Sequence, residues 1–418
     1  MIQRLFIKFK LHFKNISYFL FVDLFNKLAT FFTLPIIFNT LTENNFGYYT
    51  FSILITLGLT VIGPFGHDTT FTRNLYDENF NIKINIKQNL FPGIIKYLFI
   101  GILLILLIYL FFKLNIITLT ICYFLGLLQI IQVFLRSIFI VYKNAFYFFV
   151  FYITQTLIFL LAFTGLYKFY TISVNNLLII NLISVLLSLI LGVKLIIKMQ
   201  VFNKEHLNVI INSHKVEKAF RLKNYYLSIA NFININSDRF IVEKYASINT
   251  FSFYSLSNSM VGPLKTLSSA VLKTLQPYIF DNLFLKNNKK IRQIEIFLVV
   301  TFALFCTSFY GLIYFYVKLF INKSKNEVIF YIPFFLFIAF FEFCYMLRFN
   351  VLLFHKQMKL INISEWLLLI IQIMISLYIF KYNSINVFLY LMVTLSLLRY
   401  LILLLITETI LRSIKINL

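Results

Sequence analysis

The feature that most limits what this chain can fold into is a succession of long apolar runs, each able to cross the hydrocarbon of a bilayer. A spanning helix needs about 20 apolar residues, and by that rule the sequence divides into about twelve segments: 15–39, 46–69, 93–113, 116–142, 145–167, 174–198, 223–243, 250–280, 291–318, 327–353, 361–381 and 385–411. Of the 418 residues, 60% are hydrophobic and 13% charged, where soluble domains run at about 45–50% apolar and about 25% charged. The expected fold class is an all-α integral membrane protein.

The charges that remain sit mostly in the short loops. The N-terminus (Arg4, Lys8, Lys10, Lys14) and the loops after even-numbered segments (among them Arg73, Lys83, Lys143, Lys194, Lys286, Lys356) are rich in cations. The alternate loops hold only Lys113, Lys168, Lys244, Lys318, Lys323, Lys325 and Lys381, a bias of roughly three to one that marks the richer side as cytoplasmic. Both termini are then cytoplasmic, which requires an even number of helices. The formal net charge of +23 is explained by this asymmetry, so no nucleic-acid partner is expected. The first run carries Asp23 and Lys27 and lacks a small-residue cleavage site, so it is read as an uncleaved first helix. Cys122, Cys306 and Cys344 lie within apolar runs, without metal-ligand or disulfide spacing, and are read as packing residues.

Residues 199–222 form a long cytoplasmic loop in mid-chain. It reads as a linker between an N-terminal lobe of six helices (1–198) and a C-terminal lobe of six (223–418). Phe46-Gly-Tyr-Tyr-Thr-Phe-Ser52 opens the second segment and Phe251-Ser-Phe-Tyr-Ser-Leu-Ser257 the eighth, as a parallel repeat would require.

Against this apolar background a few polar side chains stand out. Asp23, Asn26, Lys27, Thr30 and Thr33 share one helical stripe. A charge at the bilayer centre costs roughly 2.5–3.5 kcal/mol or more, so this stripe faces protein or a polar cavity. An i, i+4 ion pair would also account for Asp23 and Lys27. In the seventh segment Ser228, Asn231, Asn234 and Asp238 share a face with Arg239 at its border; they either line the same central cavity or, for Asp238 and Arg239, reach the headgroups. Lys265, beside Pro263, has no acidic residue within a turn and reads as an unpaired ammonium. Lys273 lies nearer the cytoplasmic end, Glu342 and Arg399 sit near the centres of their segments, and Arg348 lies inward of Glu342. Arg136 and Glu365 are read as snorkelling at helix ends. The set is biased positive, which suits an anionic substrate carrying phosphate or pyrophosphate. Pro35, Pro64, Pro263 and Pro333 are expected to bend the helices that contain them.

The chemistry of enzymes is missing from the pattern. There is no GxxxxGK[ST] phosphate loop, HExxH, CxxC or G-x-S-x-G. No cofactor, metal or catalytic residue is expected, and the adjacent pair His67-Asp68 reads as structural.

Several short motifs resemble those of polysaccharide exporters and O-antigen flippases. Glu43-Asn-Asn-Phe-Gly-Tyr-Tyr-Thr-Phe-Ser52 is similar to the F-G-x-Y opening of that family's second helix, and Pro64-Phe-Gly66 followed by Arg73 to its exit. Ser237-Asp-Arg-Phe-Ile-Val242 resembles its D-R signature, and Phe253-Tyr-Ser255 and Gln276-Pro277 continue the likeness. Ser252 stands where a glycine is usual, and the core is rich in Phe and poor in Gly. The resemblance implies the MOP exporter superfamily, with two six-helix lobes around a central cavity lined by the first, second, seventh and eighth helices. It implies flipping of undecaprenyl-diphosphate-linked oligosaccharide repeat units (O-antigen or capsule) between the leaflets of the bacterial inner membrane, with membrane lipids, a glycan polymerase and a chain-length regulator as partners. On this reading Lys27, Asn231, Asn234, Arg239, Lys265, Lys273 and Arg399 hold the substrate. Asp23, Asp238 and Glu342 act as counter-ions or coupling sites. The alternatives are a MATE-type cation-coupled drug or metabolite antiporter and, from another class, a membrane glycan polymerase or ligase. The short outer loops speak against the last.

Overall fold

The computed structural model describes residues 2–75, 82–142, 144–169, 171–199, 214–285, 288–322, 324–354, 358–382 and 385–416, with side chains from residue 21 onward apart from scattered positions such as Lys273 and Glu365. The elements in order are α1 (Ile2–Thr40), α2 (Glu43–Ile62), α3 (His67–Leu75), α4 (Ile82–Asn85), a π-helical turn (Ile86–Leu90), α5 (Phe91–Phe112), α6 (Ile116–Val141), α7 (Ala145–Phe169) and α8 (Val174–Lys198). They continue with α9 (His214–Tyr245), α10 (Ile248–Phe284), α11 (Asn288–Phe320), α12 (Lys325–Phe354), α13 (Met358–Tyr382) and α14 (Ile385–Ile416). No strand occurs among the described residues.

Every apolar segment expected from the sequence is largely helical, the second (46–69) being divided between α2 and α3. Among the described residues nine helical stretches are both long and apolar enough to cross a membrane. The other long helices are α9, α10 and α13. The first two carry too many polar side chains to satisfy a hydropathy rule, and of α13 only Trp366–Ile379 does so as a shorter stretch. A protein-facing helix tolerates this, because its polar side chains need not meet lipid.

Two expectations are corrected. The second segment stops at Ile62, because Gly63–Gly66 form a turn with Phe65 at φ 53° and Gly66 at φ 73°. Pro64 lies in this turn, whereas Pro35 and Pro333 are within helices as expected. The mid-chain loop is also shorter than the 199–222 read from the sequence: α9 begins at His214, and 200–213 lie outside the described residues.

Polar caps set several helix starts. The Asn115 carboxamide oxygen accepts from the Ile117 amide at 2.9 Å, the Ser173 hydroxyl from Asn176 at 3.2 Å, and the Ser247 hydroxyl from Thr250 at 3.1 Å. Many Ser and Thr hydroxyls inside the helices donate to carbonyls a turn earlier, as Thr33 does to Ala29 at 2.8 Å, which satisfies those donors without water.

The chain forms two compact units: residues 1–26 with 48–236, and residues 27–47 with 237–418. The division falls inside α1, after Asn26, and inside α9, after Asn236. In the first unit α6 is the hub, packed on α8, α3, α5 and α7. In the second, α12 takes that place, packed on α10, α14, α11 and α13. Each half thus pairs its fourth and sixth long helices, α6 with α8 and α12 with α14.

Close approach in the first unit is made by a slot for Tyr97. Its ring lies against Gly63, where a Cβ would collide with it, and its hydroxyl oxygen is 2.5 Å from where a Cβ on Gly126 would sit. The same hydroxyl donates to the Tyr123 carbonyl at 2.6 Å. Small residues at helix contacts are how packing is gained in lipid, where there is little hydrophobic drive between helices.

Candidate functional site

In the second unit Ser237, Asp238 and Arg239 of α9 meet side chains of α10 and α13. Asp238 is 6% exposed; one of its oxygens accepts a short hydrogen bond from the Tyr254 hydroxyl, and the other has no hydrogen-bond partner. Tyr254 is fully buried, its ring edge-on to Phe335 at 4.8 Å, so the hydroxyl cannot swing away. Arg239 and Lys265 are both close enough to attract the Asp238 carboxylate. The Arg239 guanidinium faces Asn258, whose amide, turned oxygen-first, accepts from Nη2 at 2.8 Å and Nε at 3.1 Å. Beside Asp238, the Ser237 hydroxyl accepts from Gln372 of α13 at 3.2 Å.

Lys265 is not the lone ammonium that the sequence suggested. Its Nζ lies 3.1 Å from Glu342 of α12, and the two side chains retain 30% and 42% exposure. Spacing within α10 could not show this partner, because it arrives from another helix. Lys27 lies alongside: its Cδ is 3.9 Å from where a Cβ on Gly262 would sit, one turn from Lys265. Asp238, Arg239, Lys265, Glu342 and Lys27, all named from the sequence, are therefore gathered in one unit, with Tyr254 and Asn258 added by the structure.

The other sequence candidates fall elsewhere. Arg399 of α14 lies over the Tyr345 ring at 4.7 Å. Asn231 and Asn234 belong to the first unit, Asn231 exposed and Asn234 half-buried. The Lys273 side chain is outside the described residues. Asp23 also belongs to the first unit, where it acts electrostatically on Tyr152 of α7, whose hydroxyl bonds to Arg136. Arg136, read from the sequence as snorkelling, is half-buried over the rings of Phe148 (5.5 Å) and Tyr152 (5.8 Å). Thr156 of α7 donates to Asn26 of the α1 stripe, and Gln132 of α6 donates to Gln155 of α7 at 2.5 Å.

The positive bias read from the sequence is smaller in the structure. Arg348 is 9% exposed and answered by Glu295 of α11 at 3.0 Å and Glu408 of α14 at 3.1 Å; Glu408 also pairs with Arg292 at 2.5 Å. Glu295 and Glu408 were not singled out in the sequence because each lies near the end of its apolar run. Of the cations gathered near Asp238, Lys265 is paired with Glu342.

Among the described residues no cluster of His, Cys, Asp and Glu could hold a metal ion. Cys122, Cys306 and Cys344 are buried and free, as packing residues would be.

No protein-family model matches the sequence, and no curated protein does. Solved structures do match the fold. A MATE protein in complex with MaD3S superposes with TM-score 0.59 at 10% identity over 96% of each chain. A multidrug resistance MATE family transporter of the MOP superfamily, in an outward-facing conformation, gives 0.59 at 9% identity, again over 96% of each chain. A MOP superfamily transporter from Pyrococcus furiosus, for which reverse polarity of the binding pocket suggests a different function, gives 0.53 at 11% identity over 96% of each. Over 96% of its length the chain shares the fold of solved MATE transporters.

Proposed function

We propose that the chain is a MOP-type transporter working by alternating access, and that it is a MATE-type antiporter driven by protons. The observation that carries this is Asp238, buried in an apolar bundle with one oxygen on Tyr254 and the other unpartnered. A carboxylate so placed is served by gaining and losing a proton. Arg239 and Lys265 beside it would repel a metal cation, which favours the proton over sodium as coupling species. The likeness of fold to multidrug resistance MATE transporters supports a drug or metabolite as cargo.

A second reading keeps the lipid-linked oligosaccharide as cargo. It is favoured by the presence of three cationic side chains at the site, Lys27, Arg239 and Lys265, and by the motifs of the sequence. The Pyrococcus furiosus neighbour is an example of a MOP superfamily pocket with reversed polarity, so polarity does not follow from fold.

The test uses purified protein in proteoliposomes with an imposed pH gradient and a fluorescent organic cation. Proton-driven efflux that falls at least tenfold in Asp238→Asn, with the fold retained, supports the first reading. Absence of efflux, together with loss of surface glycan and accumulation of inward-facing lipid-linked units in a deletion strain, supports the second. A deletion strain with unchanged drug sensitivity and unchanged surface glycan would overturn both cargoes.

A further inference from the structure

The end of the first unit that carries α3 gathers cations without acidic partners. Lys96 of α5 feels the positive charge of Arg221 and Lys218 of α9, and His67 feels that of Arg221 and Lys96. None of these three cations forms an ion pair among the described residues. The nearby Asp68 forms no ion pair among the described residues.

These side chains are held in place by their surroundings. The Lys96 ammonium rests 4.4 Å from the centre of the Phe65 ring, and that ring packs on Tyr225 at 4.4 Å. Gly66, at φ 73°, brings its turn onto α9 so closely that a Cβ there would lie 2.8 Å from the Arg221 carbonyl and 3.1 Å from its Cγ. Arg73 adds a cation over Phe220 at 4.2 Å. The Nε–H of Arg221 is buried at this place without a hydrogen-bond partner.

Mutually repelling cations, of which Lys96 rests on the Phe65 ring, with a buried guanidinium N–H left unbonded, are a state completed by an anion with several acceptor oxygens. We propose that Lys96, Lys218 and Arg221 form a binding site for a phosphate group, carried either by an anionic lipid headgroup or by a free diphosphate. A phosphate offers oxygens to all three at once and a charge that a single carboxylate does not match. The charge asymmetry of the loops places this end on the cytoplasmic side, where clustered Lys and Arg meet anionic headgroups. The inference is independent of the cargo, since it concerns one face of one unit and is read by binding instead of transport.

The full chain in uncharged detergent, at fixed ionic strength, is melted with and without sodium pyrophosphate, and in parallel in nanodiscs of phosphatidylglycerol or phosphatidylcholine. Wild type is expected to gain several degrees from one probe, and Lys96→Gln with Lys218→Gln to lose that gain. Stabilisation by pyrophosphate identifies a free phosphate compound as the source; stabilisation by phosphatidylglycerol alone identifies the headgroup. Lys218 is exposed, so Lys218→Gln alone should fold and weaken binding about fivefold, while Lys218→Arg should keep it. A gain from neither probe, or an equal gain in Lys218→Gln and wild type, would overturn the site.

Discussion

Tyr97 and Arg348 show how single side chains are accommodated where water is scarce. With its hydroxyl on the Tyr123 carbonyl and its body against Gly63 and Gly126, Tyr97 leaves no space for another methyl group. Gly126→Val should displace it and cost about 1–3 kcal/mol, the usual range for overpacking, read as a lower melting temperature in detergent. Gly165→Ala, where nothing lies within 4 Å, should leave that temperature unchanged or raise it. Arg348 lies between Glu295 and Glu408. Arg348→Met should cost about 3–5 kcal/mol, because it strips the buried Glu295 of its ion-pair partner and leaves Arg292 alone to balance two carboxylates. Adding Glu295→Gln and Glu408→Gln should recover most of the loss, as a thermal melt of the triple variant would show. The sequence exposed these residues only in part. Asp238, Arg239 and Lys265 stood out because charge is rare within apolar runs, whereas the Glu342 partner of Lys265 and the two partners of Arg348 come from other helices. Spacing along one helix carries no trace of such pairs.

At the scale of elements, α3 is the part that hydropathy concealed. The apolar run continues through Phe65, and only the left-handed turn at Phe65 and Gly66 stops α2 and starts a new helix. The His67 side chain is then buried at 2% exposure, its Nδ1–H donating to Asn89 at 3.3 Å while Asn89 donates to Asn85 at 2.9 Å and Asn85 to the Phe71 carbonyl at 2.9 Å. Burial, with the charges of Arg221 and Lys96, lowers its pKa from 6.5 to about 4. Folding therefore favours the neutral ring. Its contribution is present in full above pH 6.5 and is lost as the pH falls towards about 4. Melts across that window should fall more steeply for wild type than for His67→Gln, with equal slopes counting against the assignment. By contrast α9 and α10 were counted from the sequence by the length of their apolar runs, although a stricter hydropathy threshold passes over both.

For the whole molecule, the number and order of long helices followed from segment length, and the fold match along the full chain agrees with that reading. What could not be read was which side chains each unit collects, since α1 gives Asp23 to one unit and Lys27 to the other. The loop charges predict both termini in the cytoplasm and the turn after Lys168 outside. A fluorescent-protein fusion at either terminus should glow in cells and a phosphatase inserted near residue 171 should be active; an inactive phosphatase there would refute the orientation. The grouping of Arg348 with Glu295 and Glu408 also bears on how the chain is made. As translation proceeds, Arg348 of α12 emerges when Glu295 of α11 is already in place, and Glu408 follows only with α14. The growing polypeptide can therefore shield its guanidinium at once, and the last helix enters with an acid whose counterpart is waiting for it. A ribosome-stalled fragment ending before α14 should integrate stably, while the same fragment carrying Glu295→Gln should slip from the membrane or be degraded.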